Sequence, residues 1–145
     1  MPRLSPLLLL APLLTACAPA HLGTPAPLAT RVTELRTTHA RWQLPDTIPD
    51  TTTRQFVAED LTGDSVPDLA ILMVNGPRGR ILFFEGQGPG AYYAPQEIAT
   101  VDSLGSDVLF ALDGALVLGP RNSDDLFIWR WDSRKHRMKP VKLDD

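Results

Sequence analysis

The chain has 145 residues, 43% of them hydrophobic, with 14 Lys and Arg against 17 Asp and Glu for a formal net charge of −3. That length supports one domain with a real core, and the acidic balance lacks the basic footprint of a nucleic-acid-binding protein, so no nucleic-acid partner is expected. Cys17 is the only cysteine, which leaves no second thiol for an intramolecular disulfide.

Arg3 gives a positive start, Leu4 to Leu14 an apolar run, and Thr15 and Ala16 two small residues before Cys17. These are the parts of a secretory signal peptide. The run is shorter than the about 20 residues needed to cross a bilayer, and no later stretch approaches that length. Leu14-Thr15-Ala16-Cys17 resembles the lipobox of bacterial lipoproteins. The resemblance implies cleavage before Cys17, a diacylglyceryl group on its sulfur, and usually a fatty-acyl chain such as palmitate on the new amino group. Two or more chains anchor a protein stably where a single one does not. Residues 1–16 are then the signal, and the remaining 129 residues carry 13 basic and 17 acidic side chains. Ala18, rather than Asp, follows the cysteine. By analogy with lipoprotein sorting, this points to the outer membrane of a two-membrane cell, on its periplasmic or surface face.

Residues 17–29 hold the lipidated cysteine and a Pro/Ala-rich stretch without apolar period. They read as a tether spanning roughly 20–35 Å. The folded domain is expected over 30–145. Its first part, 30–44, reads two ways. Val32, Leu35 and Trp42 fit one helical face, whereas Arg41 to Leu44 alternate like a strand. Residues 45–53 are turn-like. From residue 55 onward the pattern is all β, with expected strands at 55–58, 69–74, 80–85, 92–98, 107–112, 115–118, 126–131 and 138–143. No well-capped helix competes there.

A faint repeat runs through this half. The apolar stretch Ile71 to Val74 leads into Gly76-Pro77-Arg78, and Ala115 to Leu118 leads into Gly119-Pro120-Arg121. An aromatic strand follows each, then a strand with a proline. The spacing of about 43–45 residues is that of a four-stranded propeller blade, although turns also reuse Gly-Pro for backbone reasons.

The chemistry-bearing segment is Asp60-Leu61-Thr62-Gly63-Asp64-Ser65-Val66-Pro67-Asp68. Oxygen side chains fall at relative positions 1, 3, 5 and 9, and the Val66 carbonyl can fill position 7. That is the ligand rhythm of an EF-hand-like calcium loop without long flanking helices. A loop that caps its own amides without metal is the competing reading. With Leu69 to Val74 after it and Ile81-Leu82-Phe83-Phe84 leading to a Gly-rich aromatic turn, the segment resembles the FG-GAP/VCBS repeat family over residues 56–98. The resemblance implies a β-propeller-type blade with structural Ca²⁺ on Asp60, Thr62, Asp64, Val66 and Asp68. Ser65 departs from the family's turn glycine. One or two blades cannot close a ring, so the expected fold is all-β, with antiparallel blade-like sheets packed as a compact sandwich or partial propeller.

Phe127, Trp129 and Trp131 share a strand face by period two and read as core rather than as a stacking platform. Of Tyr92 and Tyr93, one ring is expected buried and one exposed. Arg130, Arg134, Lys135, His136, Arg137, Lys139 and Lys142 cluster near the C-terminus, partly offset by Asp144 and Asp145. They fit either a contact to anionic lipid or polysaccharide, or a charged, protected edge strand. His21, His39 and His136 are too dispersed for zinc, and no nucleophile elbow or P-loop is present. The expected function is a non-enzymatic, lipid-anchored envelope module that binds an envelope protein or glycan. A periplasmic inhibitor of a cell-wall hydrolase such as lysozyme, using the 46–54 or 86–91 loop, is the alternative. An envelope enzyme is disfavoured.

Overall fold

A computed structural model describes residues 23–42, 55–120 and 125–142. Cys17, the signal-like segment, the first part of the tether (17–22) and the 46–54 loop lie outside these residues.

The described chain begins with a two-residue strand, β1 (Ala26–Pro27), and one helix, α1 (Leu28–Thr38). Four strands come next: β2 (Phe56–Glu59), β3 (Asp68–Asn75), β4 (Arg78–Phe84) and, after a small hairpin, β7 (Gln96–Val101). The hairpin is β5 (Gly86–Gly88) and β6 (Ala91–Tyr92). The remaining strands are β8 (Val108–Leu112), β9 (Ala115–Gly119), β10 (Phe127–Asp132) and β11 (Arg137–Pro140). They form a central sheet β2-β3-β4-β7, a C-terminal sheet β8-β9-β10-β11 and a small sheet β5-β6-β1, all antiparallel and none closed. The all-β expectation with face-packed blade-like sheets therefore holds. The two segments aligned by the Gly-Pro repeat lie in the second and third strands of two successive four-stranded meanders.

Local chemistry sets these connections. β8 and β9 are joined by Asp113-Gly114, both at positive φ (49° and 70°), with Leu112 facing Ala115. That is the two-residue turn whose twist matches antiparallel strands, and Asp-Gly is among its favoured sequences.

The apolar run of β3 is buried on both sides, which explains its lack of alternation. Ala70 and Leu72, with Val57, Ile81 and Phe83, face Leu109, Leu116, Leu118, Trp129 and Met138 of the C-terminal sheet. Leu69, Ile71 and Met73, with Phe56, Leu82 and Phe84, pack under Leu35 of α1. Register agrees with this division: Ala70 pairs with Phe83 and Leu72 with Ile81, while Leu69 pairs with Phe84 and Ile71 with Leu82. The molecule is thus layered as helix, sheet, sheet.

The structure corrects several boundaries. Residues 30–38 are helical, and the helix starts at Leu28, inside the expected tether. Arg31 and Leu35, four residues apart, form its buried face. Val32 is only half-buried. The expected strand over 92–98 is broken into β6 and β7 around Pro95, which has no N–H to give a ladder. Ile71, Met73, Leu82, Phe84 and Leu116 are fully buried as expected. Ile128 is half-buried, because its strand neighbour Trp129 takes the inward position. Along the aromatic stripe Trp129 is core, Trp131 packs at the core's margin and Phe127 is 57% exposed. Tyr93 is buried and Tyr92 half-buried.

Candidate functional site: the acidic loop and its seat

The loop between β2 and β3 is shaped by its own carboxylates. Asp60 Oδ1 accepts the amides of Gly63 (2.7 Å) and Asp64 (3.2 Å), and its Oδ2 accepts that of Ser65 (2.8 Å). Asp64 Oδ1 accepts the Val66 amide at 2.8 Å. The chain can fold back this sharply because Gly63 and Ser65 adopt positive φ, 82° and 70°. Ser65 takes the left-handed conformation at the position where the resembled family carries glycine, at a cost of about 1–2 kcal/mol.

Asp68 closes the base of the loop. Its Oδ2 accepts the Leu61 and Thr62 amides at 2.8 and 2.9 Å, and its Oδ1 accepts the Gly86 amide at 2.9 Å. The residue is fully buried. Gly86 is required here, since a Cβ on it would stand 2.2 Å from the Pro67 carbonyl oxygen. One side chain thereby joins the loop to the β5-β6 hairpin.

The two outer carboxyls differ electrostatically. Burial pushes the Asp68 carboxyl above its ordinary value. The Gly86, Leu61 and Thr62 amides oppose that shift, and the Asp64 charge adds to it. On Asp60 desolvation also acts upward, but the Ser65, Gly63 and Asp64 amides and the nearby Thr62 hydroxyl outweigh it and hold the carboxyl below its ordinary value.

A calcium ion would need Asp60, Thr62, Asp64, Val66 and Asp68 to turn oxygens to one point. Among the described residues no group of three or more His, Cys, Asp or Glu side chains is so arranged. Asp60 and Asp68 are each committed to three amides. The set does not form a cage in this conformation. One oxygen is left over: the Thr62 hydroxyl is buried and makes no hydrogen bond of good geometry, Asp60 included.

Three further polar contacts escaped the sequence reading. Arg31 is buried in α1, where Nε donates to the Tyr92 carbonyl (3.1 Å), Nη2 to the Thr24 carbonyl (2.7 Å) and Nη1 to Glu34 (2.8 Å). His136, in the β10-β11 turn, places Nε2 2.7 Å from Glu85 Oε2 and its ring edge-on to Trp131. The Arg80 guanidinium lies 4.7 Å over the Trp42 ring and 3.5 Å from Glu97. Each joins residues dozens of positions apart, so no local spacing announces it. The available signal was Arg31, one helical turn before Leu35 and so on the same helix face.

Set against protein-family models, characterised proteins and solved structures, the chain has no significant match.

Proposed function

We propose that this chain is a lipid-anchored protein of the cell envelope, held to the membrane through Cys17, and that its domain is a non-catalytic binding or structural module. The anchor rests on Leu14-Thr15-Ala16-Cys17, and the non-catalytic reading on the use made of the buried charges. Asp68 and Arg31 are each turned wholly onto the chain itself, Asp68 onto three amides and Arg31 onto two carbonyls and a neighbouring carboxylate. Such groups fix a scaffold; they are not poised for a substrate. Mass spectrometry of the native N-terminus and fractionation of Cys17→Ser test the anchor. A lipidated Cys17 terminus and release of the variant from membranes are expected. A mature terminus elsewhere would reject it.

Calcium belongs to this proposal as a structural accessory of the acidic loop. Its support is the buried Thr62 hydroxyl, which makes no well-formed hydrogen bond, together with the Asp64 charge, which adds to the upward push on Asp68. Asp60, Thr62, Asp64, the Val66 carbonyl and Asp68 would hold the ion, Asp60 and Asp68 each through the oxygen that accepts a single amide. The ion would supply charge neutralisation and nothing else. A partner among envelope proteins or glycans is best sought by pull-down from envelope extract. Inhibition of a cell-wall hydrolase is checked by adding the protein to a lysozyme lysis assay.

A further inference from the structure

Charge is strongly segregated along this chain. Residues 127–142 carry six Lys and Arg against one Asp, a local net of +5, which leaves −8 for the rest. All six cationic side chains are exposed. Their arrangement on the β10-β11 ladder is unusual. Arg130 stands directly opposite Lys139 in the register, and like charges so placed destabilise a sheet. The next outward pair along the ladder, Asp132 opposite Arg137, is of opposite sign, but the Asp132 carboxylate also accepts the Arg134 and Lys135 amides and shapes the turn. Among the described residues, Arg134, Lys135, Arg137, Lys139 and Lys142 form no ion pair. A groove of about 820 Å³ runs beside them, lined by Arg130, Arg134, Lys139 and Lys142 together with Trp131 and the single carboxylate of Asp132. Val141, 37% exposed, adds an apolar edge.

We infer that this face docks on an anionic phospholipid surface, with the phosphate headgroups lying between Arg130 and Lys139 and along Arg134 and Lys142. The inference builds on the anchored reading in choosing a membrane over another polyanion. Three observations favour that choice. The cations extend over two strands, a turn and the segment after β11, too far for one small anion. An exposed apolar side chain flanks them, as on surfaces that sit at a lipid interface. The rest of the chain is net acidic at −8, so a negative surface attracts this segment and not the chain as a whole. An anchor also keeps the face at high effective concentration, so that weak contacts suffice.

The test uses the full-length chain made without lipid. It is mixed with phosphatidylcholine vesicles and with vesicles holding a one-third share of phosphatidylglycerol, at low and high salt. The expected result is preferential partition onto the anionic vesicles, lost at high salt. Arg134→Gln and Lys142→Gln, both at exposed positions outside the ladder, should each weaken that partition about fivefold. The triple variant Arg134→Glu, Lys139→Glu, Lys142→Glu should abolish the preference while leaving binding to neutral vesicles unchanged. Should the triple variant lose its circular dichroism, the two single variants decide. Equal partition onto both vesicle types, or unchanged partition in the single variants, overturns the inference. So does binding of soluble polyphosphate without any vesicle preference. A mature N-terminus other than Cys17 would remove the anchor and leave the vesicle result as it is.

Discussion

The carboxylate of Asp68 accepts the Gly86 amide at 2.9 Å across a gap of 18 residues, while its other oxygen holds the amides of Leu61 and Thr62. Two of those three amide contacts are fully buried. Asp68→Ala should therefore destabilise the fold by about 3–5 kcal/mol, since it leaves buried donors without acceptors. Asp68→Asn keeps one acceptor oxygen and should cost less. Urea unfolding of both variants checks the order. Equal stability of the alanine variant and the parent would mean that water replaces the carboxylate.

Ser65 stands at φ 70° and Gly63 at φ 82°. Ser65→Gly removes the strain of a left-handed serine but loosens the unfolded chain, so a gain of up to about 1 kcal/mol is expected. Gly63→Ala should lose about 1 kcal/mol or more, because a Cβ is strained at that φ. A loss in Ser65→Gly would show that the serine hydroxyl has a role of its own.

Calcium is best read by thermal melts in millimolar Ca²⁺ and in chelator. At ten times its dissociation constant an ion stabilises the native state by roughly 1.4 kcal/mol, which is a few degrees for a chain of this size. The shift should vanish in Asp64→Ala and persist in Asp68→Asn if the ion sits on the outer half of the loop. Coincident melts mean that the loop is complete with its own amides.

Burial pushes the His136 imidazole below its ordinary value of 6.5. Glu85 Oε2 lies 2.7 Å from its Nε2. A base held neutral in the fold binds a proton more readily once unfolded. Stability should be fully present above the unfolded value and should decline as pH falls through the lowered folded value. His136→Gln should flatten that decline. Titration of the imidazole by NMR gives the decisive reading: a value above 6.5 would mean that the carboxylate dominates and that acid stabilises the contact.

Arg31→Met should cost about 2–3 kcal/mol through the loss of charged hydrogen bonds to the Tyr92 and Thr24 carbonyls. Its clearest readout is local. Amides of α1 should exchange faster, while those of β3 and β4 stay protected.

The central sheet was legible because apolar runs bounded by Gly, Pro, Asn and Asp are a local signal, and the strand ends moved by only one or two residues at β2, β3 and β8. The start of α1 was not. Pro27 caps it without a side-chain hydrogen bond, and no acidic residue marks its first turn. Its inward face is completed by Arg31, whose burial makes sense only against the Tyr92 and Thr24 carbonyls. The acidic loop was legible as a motif, because its oxygens fall at alternate positions. What those oxygens do was not, since Asp68 turns toward Gly86, a partner whose proximity depends on the whole β3-β4 hairpin.

The N-terminal segment enters the domain through β1, where Ala26 pairs with Tyr92 and Pro27 with Ala91, and through Arg31, which grips the Thr24 and Tyr92 carbonyls. Any pull on the chain's N-terminal side is therefore borne by a small, separate attachment at the β6 hairpin. The load reaches that clamp before it reaches the central sheet. If it gives way, α1 keeps its Leu35 contact with the central sheet, whose strands stay paired to one another.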